Sequence, residues 1–232
     1  MNKISKKRKE VISSIDFKKN YNLDEAIDII KTTSKAKFKE TIEIAINLSL
    51  NTEKSEQSVR GVINLPNGVG KKLRIAVIAK DENALNAKKS GADLVGDSDL
   101  IKSIENGEIN FDRLIATPDM MSQVGKLGQI LGPKGLMPNP KLGTVTNDVT
   151  TAVNDAKKGQ VQFKNDKAGI VHAGIGKVDF EKSKLIENIK AFFNVVAKSK
   201  PEGIKGSFIK KVSIASTMGL GIKLKVAELQ KS

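Results

Sequence analysis

Residues 41–50 read TIEIAINLSL, and this stretch decides the fold of the chain's two ends because it alternates strictly between apolar and other side chains. Alternation with a period of two predicts a β-strand with one buried face. The apolar members are Ile42, Ile44, Ile46, Leu48 and Leu50.

The same alternation returns near the C-terminus, where Val212 and Ile214 precede a second apolar series at Ile222, Leu224 and Val226. Residues 216–221 separate the two runs, which predicts an antiparallel hairpin. Helices are expected at residues 23–35, with Asn22 as a cap, and at residues 181–198. The ends of the chain are therefore predicted to form an α+β domain with an antiparallel sheet.

The middle of the chain follows a different pattern, with short apolar strands that alternate with helices. Residues 73–79 read LRIAVIA, and shorter strands are expected at 93–95 and 113–116. Helices are expected around 83–89 and 99–106 and from about Asp119, which together indicate a small parallel sheet. We therefore predict a split α+β domain (1–67 and 159–232) that is interrupted by an inserted Rossmann-like α/β domain (68–158).

Residues 125–144 read GKLGQILGPKGLMPNPKLGT and hold five of the 19 glycines and three of the six prolines. Such density predicts a shaped loop, because glycine permits φ > 0 and proline fixes φ. A flexible linker is the alternative, but the apolar residues favour a packed, ordered loop. Lys126, Lys134 and Lys141 make the run basic.

The composition indicates a partner with negative charge. The 232 residues include 40 basic and 26 acidic side chains, a net charge of +14, with a pI near 9.7. Residues 68–158 carry 13 basic and 11 acidic residues, so the ends hold most of the excess. An excess of this size points to nucleic acid. The basic residues of the first nine positions suggest a mobile arm.

The absence of cysteine excludes disulfides, thiolate nucleophiles and zinc fingers. No apolar run is long enough to span a bilayer, and no apolar segment follows the basic N-terminus, so we expect a cytoplasmic protein without a membrane partner. The sequence at 68–72, GVGKK, precedes a strand and lacks phosphate-loop spacing. His172 is the single histidine, and we expect a structural role or a nucleic-acid contact for it. We expect no catalytic residue, metal or cofactor in this protein.

Two short segments could contact RNA. At the predicted hairpin tip, Ser216, Thr217, Met218 and Gly219 offer hydroxyls, a flexible apolar side chain and a glycine expected to have positive φ. The alternative is an ordinary turn. Lysines flank Phe38 at the start of residues 37–41, KFKET, where the ring could stack on RNA or belong to the core.

These residues also carry a family resemblance. The segment 125–144 resembles the signature of the L-one family of large-subunit ribosomal proteins. The resemblance continues through KFKET at 37–41, SVRG at 58–61 with LP at 65–66, NDKAG at 165–169, KPEGIKG at 200–206 and STMG at 216–219. It implies a ribonucleoprotein component with a split domain and an inserted Rossmann-like domain that has no nucleotide chemistry.

The resemblance further implies a structural protein that binds the rRNA of the mobile stalk near the exit site and assists release of deacylated tRNA, which it contacts transiently. It also implies repression of translation from the protein's own operon mRNA. We expect a protein that is monomeric when free and carries no enzymatic activity. A stand-alone mRNA repressor and an α/β enzyme are the alternative classes of function. The expected RNA contacts are Lys37, Phe38, Glu40, Thr41, Asp166, Lys167, Ser216, Thr217, Met218 and Gly219.

Overall fold

The computed structural model describes residues 12, 15–51, 58–202, 204 and 206–230. The predicted basic arm at residues 1–9 lies outside the described residues. Contacts between Cα atoms divide the chain into two compact units, one formed by Met1–Gly70 with Val161–Ser232 and the other by Lys71–Gln160. The mixed helix-and-sheet architecture expected from the sequence is confirmed. That the units are independent domains stays a prediction.

The first unit, which we call the split unit, contains a four-stranded sheet in the order β7-β1-β8-β9, with neighbouring strands antiparallel. Its central strand is the alternating segment, since β1 spans Thr41–Leu48 and its three isoleucines and Leu48 are buried. The other strands are β7 (Ile170–Lys177), β8 (Ile209–Ser216) and β9 (Ile222–Leu224). A separate pair joins β2 (Arg60–Asn64) to β6 (Gln160–Lys164).

Two long helices cover one face of this sheet. Helix α1 (Leu23–Thr33) buries Leu23, Ala26, Ile27 and Ile30, which recur at the helical spacing of one apolar stripe. Helix α7 (Lys182–Lys198) buries a longer apolar stripe in the same core. Full burial of each such large side chain contributes about 1.5–3 kcal/mol, so this core is the main source of the unit's stability.

One local prediction for the split unit is wrong, and a second is confirmed in position but not in its hydrogen bond. Val226 does not extend the last strand but begins helix α8 (Val226–Gln230). Asn22 occupies the N-cap position of α1 without a side-chain bond to the helix, and the Leu23 N–H instead donates to Glu228 Oε2 at 3.4 Å. The cap comes from a residue more than 200 positions away, which local sequence rules cannot detect.

The second unit, which we call the inserted unit, is built on a parallel sheet in the order β4-β3-β5. All four residues of β3 (Ile75–Ile78) are buried, because helices pack on both faces. The flanking strands are β4 (Leu94–Gly96) and β5 (Arg113–Ala116). The longer helices are α2 (Asp81–Lys89), α3 (Ser98–Glu105) and α6 (Val149–Lys157).

The glycine- and proline-rich run begins as helical turns and not as a loop. After the turn Pro118–Met120, helix α4 (Met121–Val124), the turn Gly125–Leu127 and helix α5 (Gly128–Leu131) follow one another. Val124, Leu127 and Leu131 are buried at helical spacing, and this packing outweighs the low helix propensity of the glycines. Beyond Gly132 the segment is largely irregular, with positive φ at Gly135 and Gly143.

Candidate nucleic-acid interface

The segments 37–41 and 216–219 are joined at one end of the four-stranded sheet. The Thr217 N–H donates to the Thr41 carbonyl at 3.1 Å, which continues the β1–β8 pairing one residue beyond Ile42 and Ser216. The Met218 N–H donates to Glu40 Oε2 at 3.0 Å. Two sequence motifs that lie 176 residues apart therefore form one surface, which we call the tip edge (residues 37–41 and 216–219).

Thr217 ties the two segments together with its side chain as well. Its Oγ1 accepts a hydrogen bond from the Thr41 N–H at 3.0 Å and lies 3.3 Å from the Thr41 carbonyl oxygen. On the other side, Lys177 Nζ donates to Thr41 Oγ1 at 2.7 Å. The sequence did not single out Lys177, because its place opposite Thr41 follows from the register of β7 and not from a local motif.

Glu40 is the buried member of the tip edge, with 3 % of its surface exposed. Burial opposes ionisation, yet hydrogen bonds from the Ser34 hydroxyl and from the N–H groups of Met218 and Ala36 hold its pKa below the ordinary value. Ser216 Oγ is buried nearby and has no hydrogen-bond partner among the described residues. The Ser216 hydroxyl nevertheless helps to lower the pKa of Glu40, because its dipole favours the charged carboxylate. Glu40 is therefore a charged anchor for both segments.

The apolar side chains of the tip edge face solvent. Phe38 is 54 % exposed and Met218 is 72 % exposed, so of the two alternatives for Phe38 the one that places it in the core is wrong. Lys37 and Thr217 are also exposed. An exposed aromatic side chain beside lysines is the combination on which proteins that bind single-stranded nucleic acid stack bases.

Two features of the hairpin tip differ from expectation. Gly219 does not have positive φ; its requirement is steric, because a Cβ there would collide with Ser216 Oγ. Ser216 is 4 % exposed, so it presents little surface to a partner. For Ser216, as for Glu40, the structure supports a positioning role, and direct contact with RNA stays a prediction.

Asp166 and Lys167 lie at the opposite end of the sheet from the tip edge. The Leu48 N–H donates to the Gly169 carbonyl at 2.9 Å, so the turn that contains both residues lies beside the end of β1. Seven residue steps at about 3.3 Å per residue separate Thr41 from Leu48, or about 23 Å. The predicted site residues thus form two groups, and we call the second one the NDKAG turn (residues 165–169).

Asp166 organises this second turn. Its Oδ1 accepts from the N–H groups of Ile170 and Ala168 at 2.8 and 2.9 Å, and these bonds, with the nearby His172, hold the pKa of the carboxyl below its usual range. His172 Nε2 lies 3.7 Å from Asp166 Oδ2. Asp166 and Lys167 are both exposed.

The part of the chain that the structure describes contains no group of three or more His, Cys, Asp or Glu side chains that could hold a metal ion. Within the same residues, no helix is both long enough and apolar enough to cross a membrane.

Comparison with protein families confirms the resemblance drawn from the sequence motifs. Residues 30–220 match the family model described as the Ribosomal protein L1p/L10e family. Members of this family are structural, non-enzymatic proteins of the large ribosomal subunit that bind rRNA on cytoplasmic ribosomes. The match includes the tip edge and the NDKAG turn and extends over well more than half of the sequence. This chain therefore belongs to the Ribosomal protein L1p/L10e family.

Proposed function

We propose that this protein binds the rRNA of the mobile ribosomal stalk through the tip edge, with the NDKAG turn as a second anchor. The observation that carries the proposal is the joining of residues 37–41 to residues 216–219 by the Thr41–Thr217 and Glu40–Met218 hydrogen bonds. These bonds fix the backbone and leave Lys37, Phe38 and Met218 exposed. The tip edge is thus arranged for contact before any RNA arrives, which reduces the entropic cost of binding.

Each exposed group has a role suited to RNA. The Phe38 ring offers a stacking surface for a base, and the flexible Met218 side chain can pack against a base or a ribose. Lys37 and Lys167 contribute charge toward phosphates. The Thr217 hydroxyl is already bonded to Thr41, so it serves mainly to hold the two segments in register.

The distribution of charge supports assigning RNA binding to the split unit. Residues Lys71–Gln160 carry 13 basic and 11 acidic side chains of the chain's 40 and 26. The split unit therefore carries a net charge of +12, and the inserted unit carries +2. We propose that the split unit supplies most of the affinity for rRNA.

The same surface would serve repression of the protein's own operon mRNA, because an interface that recognises RNA shape binds any transcript that presents the same shape. For release of deacylated tRNA, support comes from the exposed Lys126, Lys134 and Lys141 of the inserted unit. Residues 120–147 contain no acid, so these lysines could attract a passing tRNA backbone. We propose that both roles are secondary to stalk binding. We also propose that the protein is a monomer when it is free of RNA.

A gel-shift titration of the full chain tests the proposal. The probes are a stalk rRNA fragment, a duplex of equal length and the operon leader transcript, each measured over a range of salt. We expect the stalk fragment to bind at least 100-fold more tightly than the duplex. For each tenfold rise in salt concentration, log affinity should fall by about 0.7–0.9 per phosphate contact. Equal affinity for the stalk fragment and the duplex would contradict stalk recognition. Weak binding of the operon leader transcript would contradict only the proposed repression of the operon mRNA.

A further inference from the structure

A second exposed phenylalanine lies near the start of the described chain, in the segment DFKKN at residues 16–20. Phe17 is 45 % exposed, and the two lysines that follow it, Lys18 and Lys19, are exposed as well. The tip edge has a similar arrangement, because Phe38 is exposed there between lysines. We call the new segment the Phe17 turn (residues 16–19). None of the contacts proposed above involves it.

Hydrogen bonds fix the backbone of the Phe17 turn. The Lys19 N–H donates to the Asp16 carbonyl at 3.2 Å, and the Lys18 N–H donates to Asp16 Oδ1 at 2.9 Å. The Asp16 N–H in turn donates to the hydroxyl of the buried Tyr21 at 2.8 Å. The ring of Phe17 is therefore presented to solvent by an ordered turn, which reduces the entropic cost of binding a partner.

Tyr21 attaches this turn to the edge of the four-stranded sheet. It forms a parallel bridge with Leu224 of β9, its N–H donates to the Lys223 carbonyl at 2.9 Å, and its carbonyl accepts from the Lys225 N–H at 3.0 Å. Lys223 Nζ also donates to the Phe17 carbonyl at 3.0 Å. Two exposed lysines from the C-terminal part of the chain therefore lie beside the Phe17 turn.

The charges around the ring favour an anion. Lys18 and Lys223 are exposed and make no ion pair within the described residues. The ammonium group of Lys223 carries three donors, and its bond to a backbone carbonyl leaves its charge in place. Glu25 Oε2 lies 3.6 Å from Lys19 Nζ, and Asp16 offsets one further lysine. Positive charge thus remains after both carboxylates are counted.

The Phe17 turn and the NDKAG turn lie at opposite edges of the sheet. The NDKAG turn leads into β7, whereas Tyr21 lies beyond β9, with β1 and β8 between them. Four steps between neighbouring strands, at about 4.8 Å each, separate the two edges by about 19 Å. Stalk rRNA that contacts the tip edge and the NDKAG turn extends toward β7 and away from the Phe17 turn.

We propose that the Phe17 turn is a second RNA-binding site, which takes a short single-stranded segment while stalk rRNA occupies the tip edge. One base stacks on Phe17, and the phosphates on either side of it lie near Lys18 and Lys223. Stacking of this kind tolerates any sequence, because every base has a π-face. The choice of a segment separate from the stalk rests on the proposed function, which directs stalk rRNA toward β7.

The test measures binding of a single-stranded RNA to the full chain when its tip edge is already occupied. The chain is saturated with unlabelled stalk rRNA fragment, and a fluorescent oligouridylate of about 12 nucleotides is titrated over a range of salt. The variants are Phe17→Ala and Lys18→Ser. Their matched controls are Leu85→Ala and Lys198→Ser, which remove an exposed leucine of α2 and an exposed lysine of α7. Thermal melting checks that each variant folds.

We expect the oligouridylate to bind the saturated wild-type chain and to bind Phe17→Ala at least about fivefold more weakly. Lys18→Ser should lower the slope of log affinity against log salt by about 0.7, and this slope remains a test if Phe17→Ala does not fold. The two controls should stay close to wild type. All four variants should keep wild-type affinity for the stalk fragment, since none of them lies in the tip edge or the NDKAG turn.

Three results would overturn the second site. They are failure of the saturated wild-type chain to bind the oligouridylate, binding by Phe17→Ala and Lys18→Ser that equals wild type, and displacement of the oligouridylate by polyglutamate of the same charge, which would indicate a surface for acidic proteins. If the stalk fragment itself does not bind, the proposed function fails. The comparison of Phe17→Ala with wild type on the free chain then still decides the second site.

Discussion

At the scale of single residues, Phe38 provides the cleanest separation between folding and binding. Its ring is more than half exposed, so Phe38→Ala should change the melting temperature little. Loss of a stacked ring should weaken binding of the stalk fragment by about 1–3 kcal/mol. The control is Phe17→Ala, which removes another exposed phenylalanine outside the tip edge. If both variants lose affinity equally, Phe38 makes no specific contact.

Thr217 behaves differently because its hydroxyl is part of the structure. Thr217→Val removes the acceptor for the Thr41 N–H, and we expect a loss of about 0.5–1.5 kcal/mol in the free energy of unfolding. Affinity for the stalk fragment should fall at least about tenfold, or 1.4 kcal/mol, since both segments of the tip edge lose their register. Thr217→Ser keeps the hydroxyl, so its free energy of unfolding in urea denaturation and its affinity in gel-shift assays should stay close to the wild-type values. Failure of serine to restore them would contradict this account.

Glu40 should make the stability of the tip edge depend on pH. Its pKa is lowered in the folded state, so its contribution is complete above the unfolded carboxyl pKa of about 4.3 and is lost as the pH falls through the folded value. Glu40→Gln should therefore cost about 1–3 kcal/mol at pH 7 and much less at pH 3, as measured by urea denaturation. An equal cost at both pH values would show that the charge is not the stabilising feature.

At the scale of elements, the β8–β9 hairpin contains two glycines that make a matched pair. A Cβ at Gly219 would collide with Ser216 Oγ, whereas a Cβ at Gly221 would meet open space. Because neither has positive φ, backbone strain does not complicate the comparison. Gly219→Ala should cost about 1–3 kcal/mol of stability through overpacking beside Glu40 and reduce RNA affinity, while Gly221→Ala should leave both nearly unchanged. Equal effects in melting and binding assays would contradict the steric explanation.

The elements also show which features the sequence could predict. The period of two in β1 and the buried run in β3 identified both kinds of sheet, because periodicity is a local signal. The helical turns at Gly125–Leu131 were missed since tertiary packing of Leu127 and Leu131 outweighs local glycine content. Val226 was misassigned because alternation alone cannot show where a strand ends.

The candidate site was predictable as a set of residues but not as an arrangement. The motifs named the exposed Phe38 and Met218, and they also named Glu40, whose burial no motif reveals. The joining of the tip edge depends on pairing across 176 positions, and the placement of Asp166 at the far end of β1 depends on the β7 register. Long-range register of this kind is not encoded in any short segment.

At the scale of the whole molecule, the central claim is that the split unit binds stalk rRNA at the tip edge. Charge supports this division, because nearly all of the excess lies outside Lys71–Gln160. Because RNA contact has a location in the chain, a measurement that compares all segments of the full chain at once tests it more directly than a series of substitutions.

Hydrogen–deuterium exchange of the full chain, with and without a saturating stalk rRNA fragment, is that measurement. The amides of Thr41, Thr217 and Met218 lie at the tip edge in hydrogen bonds that bound RNA would shield from solvent. The account predicts slower exchange for residues 36–43 and 216–220, a smaller effect at 165–169, and little change across 71–160. Protection confined to residues 71–160, with the tip edge unchanged, would contradict it.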